Sequence, residues 1–298
     1  MKKQKRGIDM DLCDRNTIKA LLARHGFHFS KSLGQNFLIA PWVPEEIAAA
    51  SGAGPNCAVL EIGPGIGPLT AELCRRAGRV VAVELDQRLV PVLQETMAAF
   101  DNFTLVSGDI LRLDLPALVR ERMAGYTPLV CANLPYNITT PILTALVEAR
   151  CFDTITVMIQ KEVAVRLAGG PGGEYGAFSV FMQFYTQPEV LFDVPPECFL
   201  PEPKVTSTVL RCRVRRQAPV DLRCSEPFFF RTVRAAFALR RKTLVNSLAS
   251  VFGGELSREE LAQAVESCGL VPSIRGEKLG LEEFAALANI LGDRLAEK

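Results

Sequence analysis

The 298-residue sequence has no apolar run approaching the roughly twenty residues needed to span a bilayer, although 48% of it is hydrophobic. It has no CxxC pair, and its nine cysteines are an odd number scattered along the chain. Isolated apolar surroundings, as at Cys57, Cys131 and Cys151, predict reduced, buried thiols. No metal site is expected. Internal repeats and low-complexity tracts are also missing. The first residues, MKKQKRGIDMDLCDRN, are basic but lack an apolar core like that of a signal peptide. Their three aspartates argue against an acid-poor mitochondrial transit sequence, so a soluble cytoplasmic protein is the expectation.

Strong net charge is absent too, at +1. That near-zero balance hides an uneven distribution. Residues 200–250 hold eleven Lys or Arg against three acids, while the chain from 251 onward is acidic. A one-sided phosphate-binding face would produce this asymmetry, and so would a set of solvated faces.

What is present is alternation. CAVLEIG (57–63) reads as a buried strand, and RVVAVEL (79–85), FTLVSGD (103–109), PLVCANL (128–134) and TITVMIQ (154–160) read as further strands. Between most of them lie helical stretches, such as PLTAELCRRAG (68–78), which starts with Pro and ends at Gly. Short apolar strands alternating with amphipathic helices predict a doubly wound, mainly parallel α/β sheet. After TSTVLRCRV (206–214) the strand signals stop, and from about 225 the pattern is helical. Two domains joined near 215–224 follow.

Chemistry-bearing residues gather at the strand ends. EIGPGIGPLT (61–70) joins a strand to a helix, with Gly63, Gly65 and Gly67 permitting a sharp turn close to a ligand. Its third glycine comes two residues after the second, one fewer than in the dinucleotide fingerprint GxGxxG, so a nicotinamide or flavin fits less well. Glu84 ends the next strand, where a carboxylate can accept from both ribose hydroxyls of an adenosine-containing ligand. Asp86 is a nearby rival that could equally cap the following helix. Asp109 follows the third strand and could accept from an adenine amino group. Asn133, Leu134, Pro135 and Tyr136 follow the fourth.

EIGPGIGPLT, VAVELD, GDIL and NLPYNI together resemble the successive motifs of class I S-adenosylmethionine-dependent methyltransferases acting on adenine N6. More narrowly, the chain resembles the KsgA/RsmA-type small-subunit rRNA adenine N6,N6-dimethyltransferases. KSLGQNFL (31–38), QKEVAVRL (160–167), YGAFSV (175–180), VPPECFLPEPKVTSTVLR (194–211) and AFALRRKTLVNSL (236–248) carry the likeness in the same order, over roughly residues 20–290. Phe178 stands where Leu is more usual.

The resemblance implies a Rossmann-like class I methyltransferase sheet with a smaller C-terminal all-α domain. Its parts would be an N-terminal extension (1–30), the methyltransferase domain (31–220) and a helical RNA- or ribosome-binding domain (221–298). It implies S-adenosylmethionine as cofactor, held by Asn36, Leu38, Gly63, Gly65, Glu84, Asp109 and Asn133. The activity implied is methyl transfer to N6 of two adjacent adenosines in a loop near the 3′ end of 16S rRNA. The partner would be the 30S subunit, with a role in its biogenesis, and the protein a monomer. Asn133, Leu134, Pro135 and Tyr136 would form the catalytic turn, with Phe199 a candidate for the other face of the target base. Lys204, Arg234, Arg240, Arg241 and Lys242 are the candidate RNA-phosphate contacts. Two alternatives stand beside this reading. One is a large-subunit rRNA adenine methyltransferase of the antibiotic-resistance type; the other is a non-catalytic RNA-binding assembly factor that keeps the fold.

Overall fold

A computed structural model of the chain describes residues 10–27 and 35–297. The KSLG portion of the KSLGQNFL motif and the first nine residues lie outside that description. The chain divides into two compact units, one of residues 1–164 and 189–214, the other of 165–188 and 215–298.

The first unit starts with α1 (Arg15–Arg24), capped by Asp14, whose carboxylate accepts from Thr17 N at 2.7 Å. There follow β1 (Phe37–Leu38), α2 (Trp42–Ala50), β2 (Cys57–Ile62), α3 (Pro68–Arg76), β3 (Arg79–Glu84), α4 (Val90–Thr96), β4 (Phe103–Ser107), α5 (Leu115–Arg122), β5 (Thr127–Asn133), α6 (Thr139–Glu148) and β6 (Thr154–Gln160). The chain then forms α7 (Lys161–Ala168), which runs from the first unit into the second, and α8 (Ala177–Tyr185) within the second unit. β7 (Thr186–Val194) leads back to the first unit and its β8 (Phe199–Leu200) and β9 (Ser207–Val214).

Seven strands form one sheet in the order β4-β3-β2-β5-β6-β9-β7. Pairings from β4 through β6 are parallel, and β9 runs antiparallel to β6. Five successive buried residues in β2 and again in β3 are what a parallel strand covered on both faces requires. The doubly wound sheet expected from the alternation is therefore present. Strand order reverses where β2 meets both β3 and β5, and the crevice beyond the strand ends at such a switch point is where ligands bind in open α/β sheets.

Within the N-terminal extension, α1 packs on the sheet unit: Ile18, Leu21 and Leu22 lie on one helical face and bury in a cluster with Ile66, Leu89, Val92 and Leu93. The helical unit takes in residues 165–188 as well as 215–298, beside an expected start at 221. Aromatic packing explains this, with the Phe184 ring 5.0 Å from Phe229 and 5.2 Å from Phe230. Its remaining helices are α9 (Glu226–Phe237), α10 (Leu244–Phe252), α11 (Arg258–Ser267) and α12 (Leu281–Ala296), and Phe229, Phe252 and Phe284 are fully buried in its core. Among the described residues no helix is long and apolar enough to cross a membrane.

Candidate functional site

A cavity of about 240 Å³ opens at the carboxyl ends of β2, β3, β4 and β5. Its wall includes Asn36, Leu38, Gly63, Gly65, Glu84, Asp109, Asn133, Leu134, Pro135 and Tyr136, residues spread over a hundred positions of sequence. The parallel strands deliver them to one edge.

The glycine loop forms one side. Gly63, Gly65 and Gly67 all have positive φ, at 65°, 63° and 99°. A Cβ on Gly65 would come within 3.2 Å of the Phe37 ring, and one on Gly67 within 2.7 Å of Met97 Cε. The left-handed backbone is what calls for glycine at all three positions, and the Phe37 ring adds a tight contact at Gly65.

Glu84 is 6% exposed, and its Oε1 accepts from Asp86 N at 2.8 Å. Burial pushes its carboxyl up to about 7, opposed by hydrogen bonds from the backbone N–H groups of Asp86, Gly65 and Leu85. A carboxylate has about four acceptor positions, so capacity remains for ribose hydroxyls. Asp86 does not cap α4, which starts four residues later. It accepts instead from Gln35 Nε2 at 2.9 Å and from Arg88 at 2.7 and 2.8 Å, and the Arg88 bonds hold its carboxyl low. Gln35 itself lines the cavity, so Asp86 ties the second strand end to the segment carrying Asn36. Asp109 lies past β4, where one oxygen accepts from Leu111 N at 3.0 Å.

Asn133 ends β5, and its Nδ2 reaches the Asn36 carbonyl at a long 3.5 Å. The side-chain oxygen is the end left to accept. Leu134 N–H is spent on the Met158 carbonyl at 3.1 Å. Pro135 has φ −60° and ψ 130°, an extended conformation that its ring enforces, before the 3-10 turn of Tyr136–Ile138. The Tyr136 hydroxyl meets Ser207 Oγ at 2.6 Å, and burial pushes the phenol up.

Phe199 is not brought to this cavity. It is 1% exposed, paired with Leu38 across the β1–β8 ladder, and packed into the core with Val43, Val194 and Val209. Its apolar ring gains more from that core than from a solvent-lined edge. Glu61 was not anticipated. It lines the cavity at 1% exposure, and its Oε2 is buried with no hydrogen-bond partner among the described residues. Burial, with the charge of Glu84 adding, pushes its carboxyl up to about 8. An acid inside a buried strand, two residues before Gly63 of the glycine loop, was the available signal.

Much of the positive balance in 200–250 is neutralised internally. Arg211 and Arg213 pair with Glu189, Arg223 with Asp293, and Arg231 with Glu255. Arg234, Arg241 and Lys242 of the helical unit and Lys204 of the sheet unit are exposed, without an acidic partner among the described residues. Arg240 donates to the Gly173 carbonyl at 2.9 Å, which leaves its charge uncompensated.

The donor set suits S-adenosylmethionine. The glycine cradle leaves room for backbone contact, a buried carboxylate faces the cavity from β3, and Asn36 and Asn133 supply amide and carbonyl groups beside it.

Comparison with known proteins agrees. The family model described as ribosomal RNA adenine dimethylase matches residues 26–291. A protein of Lachnoclostridium phytofermentans named ribosomal RNA small subunit methyltransferase A is 46% identical over 278 residues, covering 92% of this chain and 96% of its own. One of the same name from Geobacillus thermodenitrificans is 44% identical over 285 residues, covering 94% and 97%. Among solved structures, the 23S rRNA methyltransferase ErmE superposes with a TM-score of 0.67 at 26% identity, covering 88% of this chain and 100% of its own. A dimethyladenosine transferase from Plasmodium falciparum gives 0.72 at 21% identity over 84% and 95%, a likeness of fold. With its motifs on one cavity and its length matched almost end to end, this chain belongs to the ribosomal RNA adenine dimethylase family.

Proposed function

We propose that this protein transfers methyl groups from S-adenosylmethionine to N6 of two adjacent adenosines in a loop near the 3′ end of 16S rRNA. It does so as a cytoplasmic monomer acting on the 30S subunit during its biogenesis. The observation that carries the reading is the convergence of the glycine loop, Glu84, Asp109 and the Asn133–Tyr136 turn on one cavity. Identities of 46% and 44% to small-subunit enzymes, against 26% to the 23S enzyme, favour the small-subunit substrate. The hydrogen-bond acceptors Glu84, Asp109 and Asn133 around the cavity favour catalysis over RNA binding alone.

Bound S-adenosylmethionine supplies an electrophilic sulfonium methyl; the protein supplies alignment and electrostatics. Glu84 accepts from the ribose hydroxyls, Asp109 from the adenine amino group of the cofactor, and Asn36, Leu38, Gly63 and Gly65 line the remainder. On the target, the N6 lone pair is delocalised into the ring and is a poor nucleophile. The Asn133 side-chain oxygen and the Leu134 carbonyl accept from the amino hydrogens. This draws N6 toward tetrahedral geometry and stabilises positive charge as it develops. Pro135 holds these acceptors in place, and Tyr136 stacks on the base. The N6 ammonium is acidic, so no strong base is required. Because a paired adenine hides its amino group, the substrate base is unpaired or flipped. Lys204, Arg234, Arg240, Arg241 and Lys242 hold RNA phosphates, and the helical unit serves as the RNA- or ribosome-binding domain.

Transfer of labelled methyl to undermethylated 30S subunits, followed by mapping of the modified bases, tests this. Label on 23S rRNA instead, or on neither RNA, would refute it.

A further inference from the structure

The hydroxyl pair of Tyr136 and Ser207, 2.6 Å apart, joins two segments 71 residues distant in sequence. The two sides of the contact differ in rigidity. Ser207 opens β9, pairs with Gln160 of β6 and is completely buried. Its neighbours are anchored as well: Lys161 N–H donates to the Thr206 carbonyl at 3.0 Å, and Thr208 Oγ1 donates to Asp193 at 2.6 Å. Asp193 also pairs with Lys161 Nζ at 2.5 Å. The serine oxygen therefore sits on a strand end that cannot move without breaking several bonds.

Tyr136 sits on a single 3-10 turn and is half-buried in the cavity wall. Its ring has two torsions to fix. The hydroxyl lies on the Cβ–Cζ axis, so anchoring it sets the direction of the ring. A phenolic hydrogen also prefers the ring plane, so the same bond biases the rotation about that axis. A neutral pair at this distance is well within O–H···O geometry, and a phenol is protonated at neutral pH even before burial pushes it further up.

We propose that Ser207 is a positioning residue for methyl transfer, holding the Tyr136 ring as a preformed platform on which the target adenine lands in line with the methyl group. The proposal rests on Tyr136 being the stacking partner of the target base. Its physical content is preorganisation: a ring already ordered loses less freedom when the base arrives, and the reacting atoms meet in a narrower range of geometries.

The test is single-turnover methyl transfer to undermethylated 30S subunits with both substrates saturating. It is run alongside the KM for 30S and S-adenosylmethionine affinity by calorimetry. Ser207→Ala should slow transfer roughly two- to tenfold, the range of one neutral hydrogen bond, with the KM for 30S and the cofactor affinity changed less than twofold. Tyr136→Phe should slow it equally, and the double variant should be no slower than either single one. Ser207→Ala at the wild-type rate while Tyr136→Ala collapses would overturn the role of Ser207 and leave stacking intact. Tyr136→Ala at the wild-type rate would remove the stacking partner and this proposal with it. Loss of cofactor affinity in step with rate would mark Ser207 as merely structural and overturn the proposal. Should Ser207→Ala fail to fold, Tyr136→Phe leaves β9 intact and decides alone, a wild-type rate there being the refuting result.

Discussion

Replacing Glu61 by Gln should make the protein more stable at neutral and alkaline pH, by an amount that depends on pH in a defined way. Glu61 lies in β2 at 1% exposure. Burial, with the charge of Glu84 adding and Thr70 opposing, raises its carboxyl from 4.5 to about 8. Below pH 4.5 the folded and unfolded chains both hold the proton, and nothing is lost. Between 4.5 and 8 the unfolded chain has released it while the folded chain retains it. Stability therefore falls by about 1.4 kcal/mol for each pH unit. The accumulated loss is about 3 kcal/mol at pH 7 and levels near 5 kcal/mol above pH 8. Gln has a similar shape and does not titrate, but its amide disturbs the local hydrogen bonding at a cost of about 1 kcal/mol.

Urea unfolding of both proteins without cofactor, from pH 5 to 9, measures the difference directly. Glu84 titrates in both and to first order cancels. The Gln variant should be equal to or slightly weaker than wild type at pH 5, and stronger by about 3–4 kcal/mol at pH 8. Parallel stability curves across the whole range would refute the reasoning, because they would mean that Glu61 titrates as a solvated carboxyl.

Glu84→Ala should weaken S-adenosylmethionine binding by roughly 1–3 kcal/mol in calorimetry. The ionised form is the better acceptor and its carboxyl lies at about 7, so wild-type affinity should fall as pH drops below 7 while the variant shows no such dependence. Asn133→Ala should slow methyl transfer on the order of 10²–10³-fold, by analogy with a lost oxyanion-hole donor, while 30S binding stays measurable. Asn133→Asp, which keeps an acceptor, should retain more activity than Ala. Arg240→Ala with Arg241→Ala should lower RNA affinity and reduce its salt slope by about 1–2; an unaltered slope would return the pair to a solvated face.

The parts of this molecule that could be read from sequence share one physical property: their signals are local. A parallel strand covered on both faces is a short apolar run, and a glycine or polar residue at or just past its end marks the sheet edge, as at Gly63, Glu84 and Asn133. β4 is the outermost strand and only partly buried, and Asp109 follows it by two residues. Each end could be located from a few residues, and the alternation rule then placed all four on one edge. β7 gave no such signal, because it is an edge strand with Pro188, Glu189 and Asp193 in it. Phe199 was assigned to the site from its segment, yet a two-residue strand has no periodicity to show which way a side chain faces. Its pairing with Leu38, 161 positions earlier, turns the ring into the core. The bonds from Gln35 to Asp86 and from Tyr136 to Ser207 span 51 and 71 residues. Neither glutamine nor serine carries a local mark of such a partner. A binding residue at a strand end can be read from its own neighbours, whereas a residue that positions it is visible only once the strands are brought side by side.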